Sequence, residues 1–235
     1  MIFAARQRPT SFSILVVCTG NICRSPLAEQ LLRAGFTARG IDVTVTSAGT
    51  GAVAGSPMTP EAAALSMHYG GLPAGHRATE LTETLVANAD LVLTATRDHR
   101  HAVAKLHPRA ARYTYTLAQF ARIISGLSPT EPGVTRRDPF ALTPLDTDTE
   151  GDDHGAFDPL HRRLSTLLDE VAASRGTALP PVHPEADDIE DPYRRSPEVY
   201  DRVGALVDSS VQTIAAFLST DSSTATATAS GQVEE

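Results

Sequence analysis

The stretch VCTGNICRSP, Val17 to Pro26, sets a thiol, a tight-turn pair and a guanidinium close together. Cys18 can act as a nucleophile, and Arg24 can grip two oxygens of a tetrahedral anion bidentately, which lysine cannot do. Between them Gly20 and Asn21 tolerate the unusual backbone angles that a tight cradle demands. Loop N–H groups followed by a helix N-terminus make a preformed anion site, and the same positive field favours an anionic sulfur at Cys18. The chemistry indicated is attack on a phosphoryl group. By average composition about one cysteine in twenty would have an arginine at this spacing. The weight therefore rests on the surroundings: an apolar run before, a Gly-Asn turn within, a Ser-Pro pair after. A buried structural cysteine is the plain alternative.

Cleaving a phosphomonoester also requires an acid to protonate the leaving oxygen. Three Asp-Pro pairs could supply it, at Asp138, Asp158 and Asp191. Spacing alone does not choose among them, although Asp158 reads as a helix-start residue. The eight histidines form no metal pattern. His99 and His101 are two apart and face different sides of the predicted helix, so surface or hydrogen-bonded roles are expected there and at His107. Cys18 and Cys23 are the only cysteines. They are no disulfide framework and a poor zinc site, so a reducing compartment fits and no metal is expected.

The elements that must position these groups follow from patterning. Phe12 to Val17 is a compact, β-branched apolar run, read as a buried strand. Ser25 and Pro26 then read as N-cap and first residue of a helix, with Leu27, Leu31 and Leu32 as its buried stripe and Gly35 or Gly40 as its exit. Val43 to Thr46 predicts a second strand, Asp90 to Thr94 a third and Arg112 to Thr116 a fourth. Helices are expected over Pro60–Tyr69, Thr79–Asn88, Asp98–Leu106, Ala118–Ile124 and Leu160–Ser174. A last helix, capped by Ser196 and opened by Pro197, carries Val199, Val203, Leu206, Val207, Ile214, Phe217 and Leu218 on one stripe. This alternation predicts a single α/β domain over 12–218, a four-stranded parallel sheet with helices on both faces. Residues 1–11 read as an extension, 125–187 as an insertion, and 219–235 as a disordered tail rich in Ser, Thr and Ala.

Charge supports the division. The 235-residue chain has a formal charge of −8, yet 14 of its 28 acidic and only 3 of its 20 basic side chains lie between Asp138 and Asp191. That segment is strongly acidic, and the remainder is slightly basic and able to attract an anion. No basic run interleaved with aromatics suggests nucleic acid. The longest apolar run near the N-terminus, Ile14 to Cys18, is far too short to span a membrane, and no signal-peptide order precedes it. A cytoplasmic location is expected.

VCTGNICRSP resembles, nearly residue for residue, the signature loop of low-molecular-weight protein-tyrosine phosphatases. VTSAGT (Val45–Thr50), HRAT (His76–Thr79), ADLVLT (Ala89–Thr94) and DPY (Asp191–Tyr193) extend the resemblance, which covers about 12–124 and 188–218. It implies a flavodoxin-like sheet and a cofactor-free route through a cysteinyl-phosphate, with Cys18 as nucleophile and Arg24 as phosphate clamp. It also favours Asp191 as general acid and base, because Tyr193, the Ser-Pro cap and the closing helix follow at the family's spacing; Asp138, before Pro139-Phe140, is the competitor. By the same resemblance Thr19, Gly20, Asn21, Ile22, Cys23 and Ser25 hold the phosphoryl group, Ser25 hydrogen-bonds the thiolate, and Tyr193 lines an aromatic slot. Cys23 is implied as a partner for a reversible disulfide with Cys18, against the alternative of a small buried residue. The expected substrate is a phosphotyrosine protein, with a bacterial-type tyrosine kinase or a polysaccharide-assembly protein as candidates.

Two departures stand out. The acidic insertion precedes the acid-bearing loop and could either border the site's mouth or be a passive surface loop. The segment Ser47–Pro57 contains no aromatic residue, which weakens the case for tyrosine more than the case for phosphate. Two other functions fit the same loop: arsenate reduction with an external thiol, and non-catalytic binding of phosphorylated partners.

Overall fold

The computed structural model describes residues 11–127 and 158–219. The expected extension and tail fall outside these apart from Ser11 and Ser219, as do Asp138 and the first part of the insertion. Four strands, β1 (Phe12–Cys18), β2 (Val43–Gly49), β3 (Leu91–Thr94) and β4 (Thr114–Thr116), form one parallel sheet in the order β2-β1-β3-β4. β1 lies at its centre and is apolar on both faces, as a strand covered on each side must be. Phe12, Ile14 and Val16 enter one core, Leu15 and Val17 the other.

Helices α1 (Arg24–Ala38), α5 (Leu117–Ser125) and α7 (Pro197–Ser219) share the first core, where Leu27, Leu31, Leu32, Phe120, Val207 and Ile214 are buried. Val86 of α3 (Glu83–Asn88) and Val103 of α4 (Arg97–Leu106) close the second. The remaining helices are α2 (Pro60–His68) and α6 (Pro159–Ser174). None of the helices among the described residues is long and apolar enough to cross a membrane. Strand order reverses between β2-β1 and β3-β4, so the carboxyl ends of β1 and β3 flank a crevice of the kind in which parallel sheets bind ligands.

Three local expectations are corrected. Ser25 is not the N-cap of α1: that position is Cys23, without a side-chain cap bond, and the Ser25 hydroxyl turns toward Cys18. Thr79–Thr82 is not helical, because Glu80 bridges Gly49 at the end of β2 and the Thr82 hydroxyl caps α3 by accepting the Leu85 N–H at 3.2 Å. β4 is shorter than expected, its first residues being drawn into a 3-10 turn at Pro108–Arg112. Helix α1 exits at Gly40, whose φ of 66° suits glycine.

Helix α6, in the stretch read from the sequence as an insertion, lies away from the crevice. His161 meets the Phe12 ring edge-on at 5.7 Å, and its Nε2 is 3.3 Å from Asp90 Oδ1. Arg175, just past α6, covers the Tyr115 ring at 3.8 Å and donates to the Ala111 and Thr114 carbonyls. These partners mark the amino ends of β1, β3 and β4, the edge opposite Cys18. Leu164 and Val171 are fully buried in the main core, which makes α6 part of the same packed unit. Leu164→Ala should therefore lower unfolding free energy by roughly 2–4 kcal/mol. Urea denaturation should show the loss in the global transition; a separate, earlier transition would mean that α6 folds independently.

Candidate active site

Cys18 ends β1, and the chain from Thr19 to Cys23 turns over it before α1 begins. The five carbonyls of Cys18, Thr19, Gly20, Asn21 and Ile22 all face outward. They accept, in turn, the N–H groups of Thr50, Gly51 and Val53, His76 Nε2, and the N–H of Thr59, at 2.8–3.1 Å. The peptide units are thereby oriented with their N–H groups toward the loop's interior, a ring of partial positive charge around the sulfur. The approach is close: a Cβ on Gly49 would sit 2.3 Å from the Thr19 carbonyl oxygen, so only glycine fits beside the loop.

Asn21 fixes the curvature. Its φ is 55°, it is wholly buried, and both ends of its side chain are engaged. Oδ1 accepts the Thr79 N–H at 2.8 Å, which leaves Nδ2 to donate to Ser25 Oγ at 2.9 Å and to Ser47 Oγ at 2.8 Å. Ser47 donates onward to Glu29, which is also paired with Arg33 at 2.7 Å. Ser25 Oγ accepts from Asn21 and lies 2.9 Å from Cys18 Sγ, with the Ala48 carbonyl a more distant acceptor for its proton at 3.4 Å.

The Arg24 guanidinium is buried at the loop's rim. NH1 donates to the Ile189 carbonyl at 3.1 Å, NH2 pairs with Asp191 Oδ2 at 2.8 Å and reaches Thr19 Oγ1 at 3.4 Å, and Nε has no partner among the described residues. A buried, unpartnered donor is costly unless an acceptor meets it, and an oxygen of a bound tetrahedral anion would do so. Asp191 stays half-exposed and also accepts the Tyr193 N–H at 3.2 Å. Tyr193 is 44% exposed, and its ring carries the Arg194 guanidinium 5.0 Å from its centroid. In the wall without aromatics, Val53 is the exposed large apolar residue.

Cys23 differs from Cys18. Both are buried free thiols, but Cys23 lies near Thr59 Oγ1 and Tyr200 OH, and burial pushes its thiol above the ordinary value, favouring the protonated form.

The sequence profile of the low molecular weight phosphotyrosine protein phosphatase family matches residues 13–141, more than half of the chain. This chain belongs to that family. It is a phosphatase. Similar proteins include the probable low molecular weight protein-tyrosine-phosphatase EpsP of Ralstonia nicotianae, 40% identical over 107 residues, which cover 46% of this chain and 71% of the relative. The protein-arginine-phosphatase of Bacillus subtilis is 38% identical over 109 residues, with the same coverage of each chain. Among solved structures, the tyrosine phosphatase Wzb from Escherichia coli K30 superposes with a TM-score of 0.54 at 24% identity, over 87% of this chain and 96% of that one. The family profile stops before Asp191, whereas the likeness in fold extends over nearly the whole of Wzb.

The structure brings Cys18, Thr19, Arg24, Ser25, Asn21 and Asp191 together around one loop; Tyr193 joins them through its backbone, and Cys23 sits behind. Asp158, the second Asp-Pro candidate, instead caps α6 at the opposite edge, accepting the Leu160 N–H at 3.3 Å. The quoted motifs prove to be loop supports: Ser47, Gly49 and Thr50 come from VTSAGT, His76 and Thr79 from HRAT.

Sequence reasoning assigned no role here to His99. It is 8% exposed, with Nε2 2.9 Å from Thr19 Oγ1 and Nδ1 2.7 Å from Thr96 Oγ1, so it ties the loop to the start of α4. Burial first, and then the nearby Arg24 charge, push it down to about 4. Between the ordinary value near 6.5 and about 4, the unfolded chain takes up a proton that the folded one refuses, so stability falls as pH drops through that window. The loss should reach about 3 kcal/mol near the lower end. His99→Gln should flatten the fall in urea midpoint between pH 6.5 and 4; an unchanged slope would mean that other groups carry it.

Proposed function

We propose that the chain hydrolyses phosphotyrosine in proteins through a cysteinyl-phosphate. The observation that carries this reading is the juxtaposition of the Cys18 sulfur, the Ser25 hydroxyl 2.9 Å from it, and the Arg24–Asp191 pair at the rim of an amide-lined loop. Thr19, Gly20, Asn21, Ile22 and Cys23 supply the cradle. The Cys18 thiolate attacks phosphorus in line, forming the S–P bond as the P–O(aryl) bond breaks. Arg24 and the loop N–H groups take the charge spreading over the equatorial oxygens. An entering phosphoryl group competes with Asp191 for the Arg24 NH2, freeing the carboxyl to face the leaving oxygen and protonate it. The resulting carboxylate then draws a proton from a water that attacks the phosphocysteine, while Ser25 stabilises the departing sulfur.

The ring of the substrate would rest between Tyr193 and Val53. An aryl ester suits those apolar surfaces better than the charged guanidinium of phosphoarginine does. The Bacillus subtilis relative makes phosphoarginine the second substrate to test. Phosphotyrosine proteins of the tyrosine-kinase or polysaccharide-assembly kind are the proposed partners.

The decisive assay is hydrolysis of p-nitrophenyl phosphate, phosphotyrosine and phosphoarginine by the wild type and three variants. Cys18→Ser should be inactive, and Arg24→Lys should lose at least roughly 100-fold in kcat/KM. Asp191→Ala should lose roughly 100-fold or more with phosphotyrosine, whose leaving oxygen is basic. Wild type should prefer phosphotyrosine. Preference for phosphoarginine would overturn the substrate, and thiol-dependent reduction of arsenate without esterase activity would overturn the reaction.

Cys23, held as a thiol behind Cys18, is the proposed resolving cysteine. Peroxide would oxidise the Cys18 sulfur to a sulfenic acid, and condensation with Cys23 would release water and form a disulfide. Mass spectrometry should find that linkage in the oxidised protein, and Cys23→Ser should instead accumulate irreversible Cys18 oxidation. An oxidised wild type lacking the linkage would leave Cys23 a packing residue.

A further inference from the structure

Asp191 reaches the site on a segment that follows the long insertion, and consecutive residues of that segment are fastened to different elements. Asp187, 6% exposed, accepts from Arg122 Nε and NH2 of α5 at 3.1 and 2.8 Å. Asp188 Oδ1 accepts the Arg97 backbone N–H at 2.7 Å, and its Oδ2 accepts Arg97 Nε and NH2 at 3.1 and 2.9 Å. Ile189 donates its N–H to the Ala95 carbonyl at 2.8 Å and accepts Arg24 NH1 at 3.1 Å. Glu190 pairs with Arg202 at 3.2 Å and with Arg195 at 3.7 Å.

We propose that Asp188 and Arg97 are a positioning pair for the general acid, holding Asp191 at the distance from Arg24 and the leaving oxygen that proton transfer needs. The inference rests on the reading of Asp191 as that acid. Three features single this pair out. Asp188 is the carboxylate that binds both a guanidinium fork and a helix N-terminal N–H, which fixes its position along two directions. It sits three residues before Asp191, so a shift there passes to the acid with little slack. The receiving end of α4 is itself tied to the phosphate loop, since His99 bonds Thr19. The pair thus references the acid to the same loop that holds the substrate. Arg97 and Asp188 touch no reacting atom; they act through Asp191. Misplacing a reacting group by about 1 Å can cost on the order of 100-fold in rate.

The test compares kcat/KM for p-nitrophenyl phosphate, whose leaving group needs little help, with that for phenyl phosphate, whose leaving group resembles tyrosine with a pKa of about 10. Asp188→Asn and Arg97→Lys should each lose at least several-fold more activity on phenyl phosphate than on p-nitrophenyl phosphate. The inhibition constant of inorganic phosphate should stay within about twofold, because the loop is untouched. Placed on Asp191→Ala, Asp188→Asn should cost nothing further, since the acid it positions is gone.

Equal losses on the two esters, a matching rise in the phosphate inhibition constant, or additivity with Asp191→Ala would make the pair merely structural and overturn the proposal. So would undiminished activity in both variants. If Asp191→Ala itself leaves the leaving-group dependence unchanged, the acid assignment fails and takes the positioning role with it, an outcome distinct from the others.

Discussion

Everything at the site depends on one backbone constraint: five successive peptide units from Cys18 to Ile22 must turn their carbonyls away from a common centre. Chain geometry opposes this, because adjacent peptide dipoles pointed inward repel and one residue must enter the left-handed region. Asn21 is that residue. Its cost is offset by four hydrogen bonds made through its own side chain and carbonyl, to Thr79, Ser25, Ser47 and His76. Aspartate would bring a negative charge to a loop built to receive an anion. Glycine would ease the turn yet remove the bonds that aim Ser25 at the sulfur.

The cradle is consequently a product of distant segments rather than of its own ten residues. β2 contributes Ser47 and Gly49, the turn after α2 contributes His76 and Thr79, and α4 contributes His99. Each offers a donor or acceptor of the right sign, and Gly49 offers its lack of a side chain. The buried Glu29 carboxylate ends the donor chain that runs from Asn21 through Ser47, so the negative charge stays at the far side of the loop from the incoming phosphate. Arg24 then joins this preformed half to the segment carrying Asp191, bonding Ile189 and Asp191 with the same guanidinium.

Much of this was legible from residue types. The β1 run, the Leu27–Leu31–Leu32 stripe and the sheet's parallel, helix-covered character follow from apolar spacing alone. Cys18, Arg24 and the Gly-Asn turn announce an anion loop before any coordinates. What the sequence hid are interactions between residues far apart. Ser25 has every local mark of an N-cap, yet a hydroxyl at a sulfur's edge is worth more here than one at a helix end, and tertiary context overrode local preference. Thr79–Thr82 reads as the start of a helix because its pairing with Gly49 is thirty residues distant. His99 shows no signature, since its meaning lies in Thr19 reaching across the carboxyl edge. The roles of Asp187 and Asp188 were concealed by composition: within an acidic segment, two carboxylates bound to arginines look like any others.

The placement of those two carboxylates bears on the long stretch of chain that precedes Asp191. Arg122, near the end of α5, bonds both Asp187 and the Leu179 carbonyl, so α5 holds the chain on both sides of the turn at Pro184–Asp187. Lengthening a loop whose ends are already pinned adds only a logarithmic entropy cost, about 0.6 kcal/mol per doubling. Helix α6 offsets such a cost by burying Leu164 and Val171 and by covering the amino edge of the sheet. From Asp187 onward the chain is registered residue by residue against α5, α4, Ala95 just past β3, and Arg24, so the position of Asp191 is set by these local bonds rather than by the stretch that precedes them.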